Sequence, residues 1–273
     1  MRGIELRARR LVSSQFLGEY RAVFRGRGVE FDELRPYVPG DDVRSIDWRT
    51  LARTGEAFVR RYTEDRDLTV IFAVDVSGSQ NAGALASSKA DLAAEVCAVL
   101  ALAATRSRDR VGLLLFASEP ERYIRPQGGV RHVLRVVREV LGSEPETAGT
   151  NIASALEYLS GVQRRRAIVF LISDFLSSGF DRQLRALARR HDVIAVRVRE
   201  EIDARLPDAG LVVLRDPESG EEREIDSSSP AVRRAYSDWL NRLDEERGRL
   251  FGSLDIDEIS LAVGEDYIPP LLR

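Results

Sequence analysis

Two apolar runs of strand length, residues 68–74 and 167–173, each stop at an aspartate, Asp75 and Asp174. A run apolar on both of its faces belongs inside a sheet covered from both sides, which points to parallel strands with helices packed above and below. Helical periodicity lies between the runs. Leu92, Val96, Val99, Leu100 and Ala103 mark one buried helix face, and Ile152, Ala155, Leu156 and Leu159 mark another. Strands and helices that alternate in this way specify a doubly wound, Rossmann-like α/β domain with a mostly parallel sheet. In such a sheet ligands gather at the carboxyl ends of the strands, where the strand order reverses. If the two runs are strands one and four of a 3-2-1-4-5-6 order, Asp75 and Asp174 are neighbours at that reversal.

The residues around these ends are rich in oxygen. Asp75, Ser77 and Ser79 offer a carboxylate and two hydroxyls from one short loop. Magnesium takes about six oxygens in near-octahedral geometry and usually keeps some waters, so one loop needs help. Thr150, behind Gly149 and just ahead of a helix, and Asp174 supply further oxygens. Serine and aspartate also favour helix caps and turns, which is the competing explanation for each of them taken alone.

In order and in context, Asp75, Ser77, Ser79, Thr150 and Asp174 resemble the metal-ion-dependent adhesion site of von Willebrand factor A-type domains. The resemblance implies that the serines and the threonine contact the metal directly and that the aspartates bind it directly or through water. Mg²⁺ is the implied ion, or Mn²⁺ in its place. Upstream, Arg35, Tyr37, Gly40, Asp41, Asp42, Arg44, Asp47 and Trp48 fall in a block similar to the signature of the bacterial domain-of-unknown-function fifty-eight family, whose members carry it before an A-type domain. Gln80 departs from the pattern, standing where methionine is common, and so does Phe175, where many A-type domains have glycine. Neither departure removes a ligand atom. The resemblance implies a non-enzymatic adaptor that binds a protein partner when the partner's Asp or Glu completes the metal's shell. It further implies a MoxR-type AAA+ ATPase as that partner and chaperone-like remodelling or maturation of target proteins as the shared task.

A chain of 273 residues can bury a full core. Residues 1–65 read as a small β-rich appendage, with an N-terminal basic helix and a hairpin turn near Gly26 and Gly28, and residues 66–273 as the A-type domain. Within the signature block, Asp41, Asp42, Arg44, Asp47 and Trp48 suit either a clamp docking the appendage onto the larger domain or a partner surface. Further strands are expected over 111–116, 122–125, 193–198 and 259–262, helices over 130–141, 181–190 and 231–251, and a hairpin around the turn at 216–221. The chain should end in a turn cut by Pro269 and Pro270. Basic and acidic residues number 41 and 44, for a net charge of −3, so no global field draws the chain to nucleic acid. Cys97 has no internal partner and sits in an apolar helical segment, as core filling. No leader-like stretch opens the sequence, and no apolar run approaches the roughly 20 residues that span a bilayer. A cytoplasmic chain with no direct membrane span is expected.

The alternative is a metal-dependent phosphohydrolase. Phosphatases of the haloacid-dehalogenase type also follow their first strand with an aspartate, but they need a second acid two residues on, where this chain has Ser77. His132 and His191 lie in other segments, and no Walker-type phosphate loop occurs. With neither acid, base nor nucleophile in place, no catalytic residue is assigned.

Overall fold

A computed structural model describes residues 34–38, 46, 48–60, 68–81, 88–203, 205–215 and 221–271. They fall into two compact units, one within Gly18–Asp67 and the other within Leu68–Arg273. In the smaller unit β1 (Leu34–Pro36) pairs antiparallel with β2 (Phe58–Arg60), and α1 (Trp48–Thr54) lies between them in sequence. This helix was not foreseen in the appendage read as β-rich. The expected N-terminal helix and the hairpin near Gly26 lie outside the described residues.

The larger unit is built on six strands: β3 (Thr69–Asp75), β4 (Arg110–Phe116), β5 (Pro120–Gln127), β6 (Ile168–Ser173), β7 (Asp192–Arg199) and, after the separate hairpin of β8 (Leu211–Arg215) and β9 (Glu222–Asp226), β10 (Asp257–Ala262). Their spatial order is β10-β7-β6-β3-β4-β5. Counted along the chain within this sheet, that is the 3-2-1-4-5-6 order expected of a doubly wound domain. All pairings are parallel except β4 with β5. The fold is α/β, a doubly wound and mostly parallel sheet flanked by helices, with β3 and β6 adjacent at the reversal.

Helices cover both faces. On one side lie α3 (Lys89–Arg106) and α4 (Val130–Leu141), which pack on each other and on β4. On the other, α5 (Ile152–Val162), α6 (Asp181–Ala188) and the carboxyl end of α7 (Pro230–Ser253) enclose a core with Ile71, Leu114, Phe116, Val169 and Leu171. The alternation along β3 explains this division. Ile71 and Ala73 face the α5 side, and their neighbours Val70, Phe72 and Val74, equally buried, face the other. Cys97 is buried in α3 with no disulfide partner.

Edges and ends follow local chemistry. Pro120 and Pro126 both sit in β5, an edge strand, where a missing amide donor costs least. Gly112 in β4 lies at a register shift, and a Cβ there would come within 2.9 Å of the Pro126 ring, so glycine permits the close approach. At the carboxyl end, Pro269 and Pro270 do not cut a turn: they occupy the first turn of α8 (Ile268–Leu271), where the missing N–H groups have no partner to lose. Ser88 and Asp91 close a reciprocal capping box on α3, Ser88 Oγ accepting from the Asp91 amide at 3.1 Å and Asp91 Oδ2 from the Ser88 amide at 3.0 Å. Ser88→Ala is expected to cost about 1 kcal/mol, measured by urea denaturation; an unchanged midpoint would show that tertiary packing alone holds this helix start.

Candidate metal centre

The parallel pairing of β3 with both β4 and β6 brings three chain reversals to one end of the sheet. Asp75 is the last residue of β3 and is 1% exposed. The chain turns immediately, with the Val76 amide donating to Phe116 O at 2.9 Å, which pins the loop to the end of β4. Asp75 Oδ1 accepts from the Ser77 amide at 3.0 Å and from Ser77 Oγ at 2.6 Å, an Asx-type turn that points both side chains inward. Ser77 Oγ lies 3.1 Å from Ser79 Oγ, and Ser79 sits in the single turn α2 (Gly78–Asn81). The other oxygen, Asp75 Oδ2, accepts from Ser173 Oγ at 2.7 Å and faces Gln80 Nε2 at 3.5 Å.

Asp174 follows β6 and is 3% exposed. Its Oδ1 accepts from the Leu176 amide at 3.2 Å, and its Oδ2 accepts from Lys89 Nζ at 2.8 Å. Lys89 also donates to Asp203 Oδ2 at 3.3 Å. Phe175, the next residue, has φ of +56°, the left-handed region that favours glycine. Its ring is buried and meets Phe251 edge-on at 5.5 Å. Ring burial of this size offsets the roughly 1–2 kcal/mol that the conformation costs, which is how the chain tolerates phenylalanine here.

Thr150 stands on a third loop. Gly149 has φ of +92°, and the Asn151 amide donates to Ala117 O at 2.9 Å, tying this loop to the chain just beyond β4. Asn151 Oδ1 caps α5 by accepting from the Ser154 amide at 3.0 Å, so its side chain serves the helix and Thr150 is left half-buried at the loop's bend.

Burial and charge set the electrostatics. The Asp75 carboxyl is pushed up to about 7, first by burial and then by the Asp174 carboxylate, against the opposing pull of hydrogen bonds from Ser77 and Ser173. Burial acts to lower the Lys89 ammonium, but Asp174 and Asp203 more than offset it and hold it above its ordinary value. Burial likewise raises the Glu200 carboxyl, beside Asp203, against the attraction of Lys89.

Oxygen-rich, carboxylate-poor and hard, this donor set suits Mg²⁺ rather than a thiophilic metal. Two features of the protein fit a cation. The raised Asp75 carboxyl marks negative charge that the protein's own groups leave under-compensated. Gln80 Oε1 is buried without a hydrogen-bond partner, next to Asp75. Among the described residues no group of three or more His, Cys, Asp and Glu side chains is placed to form a metal cage. Hydroxyls would therefore share the coordination with the two aspartates.

Sequence reasoning singled out Asp75, Ser77, Ser79, Thr150 and Asp174, and it passed over Ser173, Lys89 and Asp203. Lys89 carried a signal, being the single lysine among 41 basic residues. Asp203, in the 3-10 turn Glu201–Asp203, carried none. Of the signature block, Gly40, Asp41, Asp42, Arg44 and Asp47 lie outside the described residues. Arg35 is in β1, Tyr37 is half-buried with its amide donating to Ala57 O at 2.8 Å, and Trp48 opens α1 with 59% of its surface exposed.

A family profile described as "Protein of unknown function DUF58" matches residues 33–246. An uncharacterized protein of Mycobacterium bovis is 32% identical over 276 residues, covering 100% of this chain and 87% of the relative. A second, from Mycobacterium avium, is 44% identical over 124 residues, 45% of this chain and 73% of that protein. Among solved structures the chain is similar to the conserved hypothetical protein BatB of Bacteroides thetaiotaomicron, at 14% identity and a TM-score of 0.42, over 69% of this chain and 98% of that one. It is also similar to the SpRpn10 VWA domain, at 11% identity and a TM-score of 0.39, over 75% and 93% of the two chains.

Proposed function

This chain belongs to the DUF58 family of proteins of unknown function, and from that premise and the geometry of the strand ends we propose that it is a non-enzymatic adaptor that binds a protein partner through a divalent cation. The observation that carries the reading is the convergence of Asp75, Ser77 and Ser79 on one buried loop beside Asp174 on the adjacent strand end, where burial first and the Asp174 carboxylate second push the Asp75 carboxyl up to about 7. Asp75, Ser77, Ser79, Thr150 and Asp174 would hold Mg²⁺ or Mn²⁺. Bound there, the ion would supply an electrophilic centre for a carboxylate from outside. The protein's own groups do the rest. Ser77 and Ser173 orient Asp75, the β4 anchor fixes the loop, and the neutral hydroxyls leave enough positive charge for an incoming Asp or Glu.

A hydrolase is disfavoured by the same contacts. Both Asp75 oxygens are engaged and the side chain is sealed from solvent, unlike a carboxylate poised for attack, and Ser77 spends its hydroxyl on Asp75. The partner we propose is a MoxR-type AAA+ ATPase, in chaperone-like remodelling of target proteins. No helix among the described residues is long and apolar enough to cross a membrane.

The test is calorimetric titration of Mg²⁺ into the wild type and Asp75→Ala, repeated with a MoxR-type ATPase from the same genome. Saturable heat that needs Asp75 and sharpens with the ATPase is the expected result. ATPase capture that survives EDTA unchanged would remove the metal from the interface.

A further inference from the structure

The chain contains 40 arginines and a single lysine, and that lysine is 4% exposed. Lysine is among the residues least often buried, and burial of an ammonium is costly without partners. Lys89 has two, Asp174 Oδ2 at 2.8 Å and Asp203 Oδ2 at 3.3 Å, both with side chains under 10% exposed. One of the two is a residue of the candidate metal centre.

We propose that Lys89 is a built-in counter-ion that weakens and tunes divalent-cation binding by competing for Asp174, with Asp203 as the site to which its ammonium withdraws. This rests on the reading of Asp75, Ser77, Ser79, Thr150 and Asp174 as a cation site.

The choice of side chain is the first support. Guanidinium is a flat fork that binds carboxylates through paired donors, whereas ammonium is a compact point charge on a flexible stem. Two single contacts to two different carboxylates suit ammonium, and a chain that otherwise uses arginine departs from that habit at this position. The second support is geometric. Lys89 is the first residue of α3, whose start is locked by the Ser88–Asp91 capping box, so the backbone is held and the ammonium lies within reach of both acceptors, 2.8 Å from Asp174 Oδ2 and 3.3 Å from Asp203 Oδ2. Asp203 is itself held as a fixed acceptor, taking the Glu200 amide on Oδ2 at 2.8 Å. Charge is the third. Lys89 offsets Asp203, burial pushes the neighbouring Glu200 carboxyl up, and Asp75 and Asp174 remain to balance a divalent ion. With Lys89 seated on Asp174, a cation arriving at Asp75 finds the neighbouring carboxylate already in use by an ammonium. With Lys89 drawn to Asp203, Asp174 is released. A partner whose carboxylate strengthens metal binding would therefore move Lys89, and Asp203 belongs to the turn leading towards the β8–β9 hairpin.

Two substitutions in the full chain should act in opposite directions. Lys89→Met removes the competitor and should tighten Mg²⁺ binding roughly tenfold by calorimetry, as expected for removing one nearby charge in a partly buried site. Asp203→Asn removes the alternative acceptor, confines the ammonium to Asp174, and should weaken Mg²⁺ binding several-fold. Asparagine keeps an oxygen for the Glu200 amide, so the turn is retained. If Lys89→Met does not fold, the wild type still decides the matter, because lysine labelled with ¹³C at Cε gives one NMR signal. Saturating Mg²⁺ should shift that signal in the direction seen in metal-free Asp174→Asn, where the Asp174 charge is gone. Equal Mg²⁺ affinity in wild type, Lys89→Met and Asp203→Asn, or a lysine signal indifferent to Mg²⁺, overturns the role of Lys89 while Asp75-dependent binding leaves the cation site standing. No Mg²⁺ binding in any of the three proteins overturns both.

Discussion

Asp75→Asn is expected to make the metal-free protein more stable at pH 8, and to abolish its stabilisation by Mg²⁺. The wild-type carboxyl has an ordinary value of 3.8 and is held at about 7 in the fold. Between those values the folded state binds a proton that the unfolded state has released, so stability falls as pH rises through the window. The stabilising contribution is present in full below about pH 4 and is gone above pH 7, a change of about 4 kcal/mol at most, at about 1.4 kcal/mol per pH unit. Asparagine stays neutral throughout and keeps an oxygen for the Ser77 amide. Urea denaturation in EDTA at pH 5 and pH 8 should therefore show the wild type losing about 3 kcal/mol more stability than the variant at the limit, since only the upper part of the window, from pH 5 to about 7, is crossed. Mg²⁺ should restore the wild type at pH 8 and leave Asp75→Asn unaffected, since a ligand stabilises only the state that binds it. Parallel pH profiles in the two proteins would mean that Asp75 is compensated by groups already in the protein, leaving no unbalanced charge for a cation to meet.

Phe170→Ala is expected to destabilise the domain by about 3–5 kcal/mol. Phe170 lies at the middle of β6, in register with Phe72 of β3, and the two rings stack with centroids 5.3 Å apart and an interplanar angle of 17°. Both side chains are fully buried. Removal of one ring opens a cavity between the two strands that carry Asp75 and Asp174, with flanking elements on both sides that limit collapse. Urea denaturation in the absence of metal measures the loss. A change below about 1 kcal/mol would show that the neighbouring helices close over the gap, and that the sheet centre is less tightly packed than its burial indicates.

The two halves of this molecule differ in how far they can be read without coordinates. Strands ending at Asp75 and Asp174, the helix over Val130–Leu141 and the buried face of the helix through Ile152, Ala155, Leu156 and Leu159 were all legible, because each depends on side-chain period. Short elements escaped. The turn Gly78–Asn81 and the helix Ile268–Leu271 are single turns, too brief for any period to register, and the prolines that signalled a break in the latter are compatible with a helix start. The helix Trp48–Thr54 is seven residues long and lacks an acidic first turn, so it offered too short a pattern to stand apart from the strands around it.

For the site the division is sharper. The order of aspartate, serines, threonine and aspartate along the chain singles out the oxygens proposed for a cation, and alternation of strand and helix was enough to bring the two strand ends that carry the aspartates side by side. Both follow from local pattern and from the handedness that governs parallel strand crossovers. The electrostatic character of the site was not accessible in that way. Lys89 meets Asp174 across 85 positions and Asp203 across 114, and Ser173 reaches Asp75 across 98. Such contacts arise only when the sheet has closed and water has left. The same lysine that composition marks only as a rarity becomes, once buried between two carboxylates, the charge against which any divalent cation at this site must compete.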